Sequence, residues 1–88
     1  MKSRLLFPEV GRRVLTAFYQ VYNTLGFGFL EKVYENALAN KLRKNGHYVQ
    51  QQVPVKVYFE GEVIGNYFAD IVVDKSVIIE VKAAEALH

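Results

Sequence analysis

Phe68-Ala69-Asp70-Ile71-Val72-Val73-Asp74-Lys75-Ser76-Val77-Ile78-Ile79-Glu80-Val81-Lys82 is the stretch whose reading decides the fold. Two runs, apolar on both faces, flank a short polar break, the pattern of central strands covered on both sides. Aspartate is poorly suited to a strand interior, so three ionisable groups inside such runs need a reason. Asp70 falls on the strand face shared by Phe68 and Val72, and Glu80 and Lys82 share a face with Ile78. The length of the break settles whether they meet. A three-residue loop, Asp74-Lys75-Ser76, puts Asp70 directly opposite Glu80, whereas a two-residue turn, Lys75-Ser76, sends Asp70 to the other face. A slip of one residue flips every side chain, so only the odd-length loop builds a site. Two carboxylates held together repel and raise each other's pKa, and a divalent cation between them removes that penalty. Lys82 points the same way and could polarise a phosphate. The same three residues also read as a salt-bridge cluster with no chemistry, and the two readings weigh equally on physics alone.

Outward from this stretch, the period of two continues upstream. Val53, Val55, Val57 and Phe59 alternate with Pro54, Lys56 and Tyr58, a half-buried strand over Val53–Phe59, and Glu60-Gly61-Glu62 makes a turn. The next strands run from Val63 to Asp74 and from Val77 to Ala83, and Ala84–His88 reads as the first turn of a helix. Further upstream the period is helical. Pro8 suits a helix start, and Val10, Val14, Ala17, Phe18, Val21 and Leu25 form one buried face. The glycines of Leu25-Gly26-Phe27-Gly28 break that helix. A second helix is predicted from about Phe29 to Asn45, with Leu30, Val33, Tyr34, Ala37, Leu38 and Leu42 on its stripe, and Asn45-Gly46 ends it. At about 100° per residue Glu31 projects between Leu38 and Leu42, with Lys32, Asn36, Ala39 and Arg43 on the opposite, solvated side. A carboxylate on a buried face must be paired, hydrogen-bonded or metal-bound; the bland alternative is an edge-of-stripe glutamate reaching water. The predicted fold class is α+β: two N-terminal helices, then a three-stranded antiparallel meander.

Composition bounds the remaining classes. The chain has 88 residues, 51% of them hydrophobic, no cysteine, two histidines and a net charge of +2. That is one domain with a small core. Without cysteine there is neither a disulfide framework nor a zinc–thiolate site, and an intracellular origin is expected. The mild basicity does not by itself announce a nucleic-acid module. Leu5-Leu6-Phe7 is cut short by Pro8 and Glu9, which excludes a signal peptide, and no apolar run has membrane-spanning length. The expectation is a soluble cytoplasmic protein.

Gly28-Phe29-Leu30-Glu31-Lys32-Val33-Tyr34 is a G-x-x-E-x-x-Y match that resembles the small bacterial GxxExxY proteins, a branch of the PD-(D/E)XK nuclease superfamily. Leu42-Arg43-Lys44-Asn45-Gly46, Gln52, Tyr58-Phe59-Glu60-Gly61, Asp70 and Glu80-Val81-Lys82 follow in that family's order. The resemblance implies a restriction-endonuclease-like core, α/β in superfamily terms. It implies Mg²⁺ or Mn²⁺ held by Glu31, Asp70 and Glu80 with the Val81 carbonyl, and catalytic roles for Asp70, Glu80 and Lys82. Hard oxygen donors suit those ions. Tyr34 reads as core packing rather than as a partner for Glu31, and Gly28 as a turn residue. Arg12, Arg13, Lys56 and Lys75 read as solvated charge rather than phosphate contacts. Family members continue into a helix and a further strand, whereas this sequence stops at His88, so a partial core with an exposed sheet edge is expected. Such an edge invites a homodimer.

Three functions compete on this reading. The first is a metal-dependent nuclease hydrolysing phosphodiester bonds, with DNA favoured over RNA, and inactive if the missing part is required. The second is a non-catalytic nucleic-acid- or protein-binding module on the same fold. The third is a structural α+β domain held by a salt-bridge network.

Overall fold

A computed structural model of the chain describes residues 8–82. Helix α1 (Pro8–Leu25) and helix α2 (Glu31–Lys44) are followed by strands β1 (Val49–Phe59), β2 (Glu62–Val73) and β3 (Val77–Ile79). The strands form one antiparallel sheet in the order β1-β2-β3. The expected α+β arrangement of two helices and a meander is therefore the one observed. The expected end of the third strand at Ala83, and the helical turn over Ala84–His88, lie outside the described residues.

One core joins the two layers. Val14 and Ala17 from α1 and Tyr34, Leu38, Ala39 and Leu42 from α2 pack on Ile71, Val73, Val77, Ile79 and Val81. Alternation along the strands puts these last five on the face toward the helices. The stripe of α2 is broader than its sequence implied: Ala39, expected in solvent, is fully buried, while Val33 is exposed. The reason is that α2 meets two neighbours, α1 on one flank and the sheet on the other.

The strands also differ from expectation in their covering. β1 begins at Val49, four residues before the predicted start, because Gln50, Gln51 and Gln52 extend a strand that apolar alternation alone cannot reveal. β2 and β3 were expected to be covered on both faces. Among the described residues only the face toward the helices is covered: Phe68 (62% exposed) and Ile78 (43%) stand open on the other. β3 is an edge strand rather than a central one.

Two turns set the registers. Phe59 pairs with Glu62 across Glu60-Gly61, both at positive φ (51° and 81°), the backbone of a type I′ hairpin. The β2–β3 connection is the three-residue loop Asp74-Lys75-Ser76, with Val73 paired to Val77 and φ positive at Asp74 and Lys75. The odd-length alternative is thus the one the chain adopts, and it fixes the relation between Asp70 and Glu80.

Candidate metal centre

The register that pairs Val73 with Val77 and Ile71 with Ile79 continues to bring Asp70 beside Glu80. Regular pairing of β3 stops at Ile79. Beyond it the Val81 amide donates to Asp70 Oδ2 at 2.8 Å, so the Asp70 carboxylate sits against the two diverging strands. Its other oxygen, Oδ1, accepts a long contact of 3.4 Å from the Gln52 amide.

Glu80 is the anomalous group. Its Oε1 is buried with no hydrogen-bond partner among the described residues. Burial, reinforced by the Asp70 carboxylate, pushes the Glu80 carboxyl above its ordinary value, and the Lys82 ammonium only partly offsets this. A buried acceptor without a donor costs on the order of 1–3 kcal/mol. Folding alone gives no return for that cost. A cation would, by supplying the missing partner and cancelling the repulsion between the two carboxylates.

Besides the foreseen Glu31, helix α2 carries a second carboxylate toward the sheet. Glu31 has the angle read from the sequence but the wrong height. As the first residue of α2, it lies on an extension of the buried stripe and is exposed. The buried acid is Glu35, one turn later and 4% exposed. Its Oε2 accepts from Gln51 Nε2 at 2.7 Å and from Lys32 Nζ at 3.2 Å, and its Oε1 accepts from Gln52 Nε2 at 2.9 Å. Gln52 has φ of 53°, which breaks the strand's alternation and brings one side-chain amide to both Glu35 and Asp70. Glu35 and Gln51 went unrecognised in the sequence. The available signal was the polar Gln50-Gln51-Gln52 run at the start of an apolar strand, which needs an acceptor on the neighbouring helix.

Gly28 and Tyr34 explain the rest of the G-x-x-E-x-x-Y stretch. Gly28 has φ of 104°, open to glycine alone without strain. The Tyr34 hydroxyl donates to the Gly26 carbonyl at 2.7 Å and accepts from the Phe29 amide at 3.4 Å, while its ring packs on Tyr22 and Phe29. Together they hold the loop that sets where α2, and so Glu31, begins. Tyr34 is core packing, as expected, with an added duty as clamp of this loop.

The structure therefore brings Asp70, Glu80 and the Val81 backbone together, with Lys82 near enough to act on Glu80. Among the described residues no group of three His, Cys, Asp or Glu side chains gathers around a metal-sized space, so Glu31 does not join the pair in such a cluster. The oxygen-only donor set and the orphaned Glu80 oxygen fit a hard divalent cation.

A two-helix, three-strand α+β unit with an acid on one strand facing E-x-K on the next defines a nuclease-like domain. A family model described as the PD-(D/E)XK nuclease superfamily matches residues 8–88, and the chain belongs to that superfamily. Its nucleases act on nucleic acid and generally use divalent metal ions. No curated protein and no solved structure matches the chain significantly. No helix among the described residues is long and apolar enough to cross a membrane.

Proposed function

We propose that the chain is a Mg²⁺- or Mn²⁺-dependent phosphodiester-hydrolysing domain of the GxxExxY branch, acting on DNA. The observation that carries this reading is the buried, partnerless Glu80 oxygen beside Asp70. Asp70 and Glu80 would hold the cation, with the Val81 carbonyl and, from the start of α2, Glu31 as further donors. When bound, such an ion supplies Lewis acidity to the phosphate and to the attacking water. The protein's own groups do the rest. Asp70 is oriented by the Val81 amide and by Gln52, Glu35 anchors Gln52, and the Lys82 ammonium offsets charge gathering on the phosphate.

The test is calorimetric titration of Mn²⁺ into the wild-type chain and Asp70→Asn in parallel. Heat from the wild type that the mutant loses supports the reading. No heat from either defeats it.

A second reading, a nucleic-acid-binding module without catalysis, is favoured by the lack of a third clustered carboxylate among the described residues. It requires DNA binding that persists in EDTA and after Glu80→Gln, together with no Mn²⁺ heat and no cleavage.

A further inference from the structure

The helical layer carries a second feature that the carboxylate pair does not use. α1 and α2 run antiparallel, so the early part of α1 lies beside the last turn of α2. Two adjoining concavities of about 370 and 490 Å³ occur there and share Gln20 and Lys41, which makes them one trough along the helix pair. Arg12 and Arg13 line one end, Lys41 the middle, and Lys44 and His47 other parts of the wall. The α2 residues that line it lie on the side of that helix turned away from Glu35, Ala39 and Leu42. The trough is thus on the outer side of the helices, and its His47 end abuts the β2–β3 loop at Asp74.

Folding does not account for this concentration of cations. Lys41 and Lys44 suit the negative end of the α2 dipole. Arg12 and Arg13, however, lie early in α1, where the dipole does not favour cations, and the antiparallel packing sets them against the lysines. Like charges gathered this way repel and cost stability. Counter-charge is sparse. Glu9 pairs with Arg13 at 3.5 Å on the surface, and Asp74, engaged by His47 Nδ1 at 2.8 Å, also feels the Arg13 charge. No ion pair engages Arg12, Lys41 or Lys44 among the described residues. Thr16, Gln20, Asn40 and Asn45 add neutral hydrogen-bonding groups along the same walls. The trough exceeds the volume of a single phosphate several-fold, so an extended polyanion suits it better than a small anion.

We propose that the α1–α2 trough binds the phosphodiester backbone of duplex DNA, through Arg12, Arg13, Lys41 and Lys44, as an anchoring site separate from the carboxylate pair. The choice of ligand rests on the nuclease reading above; the cationic trough does not. The contacts are to phosphate, so they grip without reading sequence.

The experiment is fluorescence anisotropy with a short fluorescein-labelled duplex in EDTA, over a series of salt concentrations. It compares the wild type with Arg12→Ser/Lys41→Ser/Lys44→Ser and with the sheet-side control Lys56→Ser. The trough variant is expected to bind at least tenfold more weakly at low salt. Its log Kd against log salt should be shallower by about 2–3, near 0.9 per lost phosphate contact. Unchanged affinity and slope, or a larger loss in the sheet-side control, would overturn the proposal. So would equal competition by poly-glutamate, which would make the trough a site for acidic protein. Arg12→Glu alone, at an exposed position, gives the same reading should the triple variant melt early. Mn²⁺ titration of the wild type separates the two ideas: metal heat together with unchanged DNA binding by the trough variant leaves only the nuclease reading, and no metal heat together with lost DNA binding by the trough variant leaves only the trough.

Discussion

Glu35 is the residue on which the polar interior turns. Three donors satisfy it, from Lys32, Gln51 and Gln52. Removing the acceptor takes one bond from each of two amides, while Gln51 keeps Asn36 Oδ1 at 2.9 Å and Gln52 keeps its long contact to Asp70, so Glu35→Ala is expected to cost about 1–2 kcal/mol. Thermal melting should show the loss as a Tm lower by roughly 4–16 °C, at 4–8 °C per kcal/mol for a chain of this size. A drop within scan error would mean that water serves these amides equally well. Glu80 is its opposite, a half-buried carboxylate whose Oε1 has no donor among the described residues. Its raised carboxyl value means that the folded state holds the proton more tightly than the unfolded one. The associated stability is present at low pH and lost as pH rises through the folded value. In EDTA at neutral pH, Glu80→Gln should therefore melt higher than wild type, and saturating Mn²⁺ should reverse the order. Asp74 has the other sign. The His47 hydrogen bond holds its carboxyl below the ordinary value, and the Tyr48 amide donates to it at 2.9 Å. That stability is present above the ordinary carboxylate value and is lost as pH falls through the folded one. Asp74→Asn should flatten the acid limb of a urea-midpoint profile against pH, while an unchanged limb would assign acid sensitivity elsewhere.

At the scale of elements, the β1–β2 hairpin has a correctable defect. Its two-residue turn is type I′, yet Glu60 occupies the first left-handed position, where asparagine followed by glycine is the preferred pair. Glu60→Asn should raise stability by about 0.5–1 kcal/mol, read as the urea midpoint at constant slope. The elements themselves were legible because apolar periodicity is strong in α1, in the outer part of β1 and through β2 and β3. The opposition of Asp70 and Glu80 reduced to the parity of one loop. What periodicity could not supply was height and partnership. It placed Glu31 at the correct angle of α2 but could not tell that the first turn stands beyond the core. It placed Ala39 in solvent because a single stripe was assumed where two packing neighbours exist. Gln52 stands in the sequence only as one position of the family resemblance. Its left-handed backbone, which lets one amide serve two carboxylates, has no signature in local sequence.

For the whole molecule, metal and fold are coupled through the carboxylate pair. A ligand held at a hundredfold excess over its Kd adds about 2.7 kcal/mol to stability when it binds only the folded state. Mn²⁺ at such a hundredfold excess should then raise the wild-type Tm by about 10–20 °C, and should leave Asp70→Asn unmoved. The molecule is also drawn out, with extents of 44 × 30 × 19 Å and a radius of gyration of 13.6 Å, against about 12 Å for a compact chain of its length. The hairpin accounts for this: Val57, Tyr58, Phe59, Val63 and Ile64 are all exposed, whereas Ala69, Ile71 and Val73 on the same β2 strand or its root are buried. One continuous ladder therefore spans two regimes of lifetime. Amide protons near Gly61 should exchange with deuterium through fraying openings that never disturb the body, while those near Ile71 should wait for global unfolding. The chain thus keeps a slow clock at its carboxylates and a fast one only a few residues away.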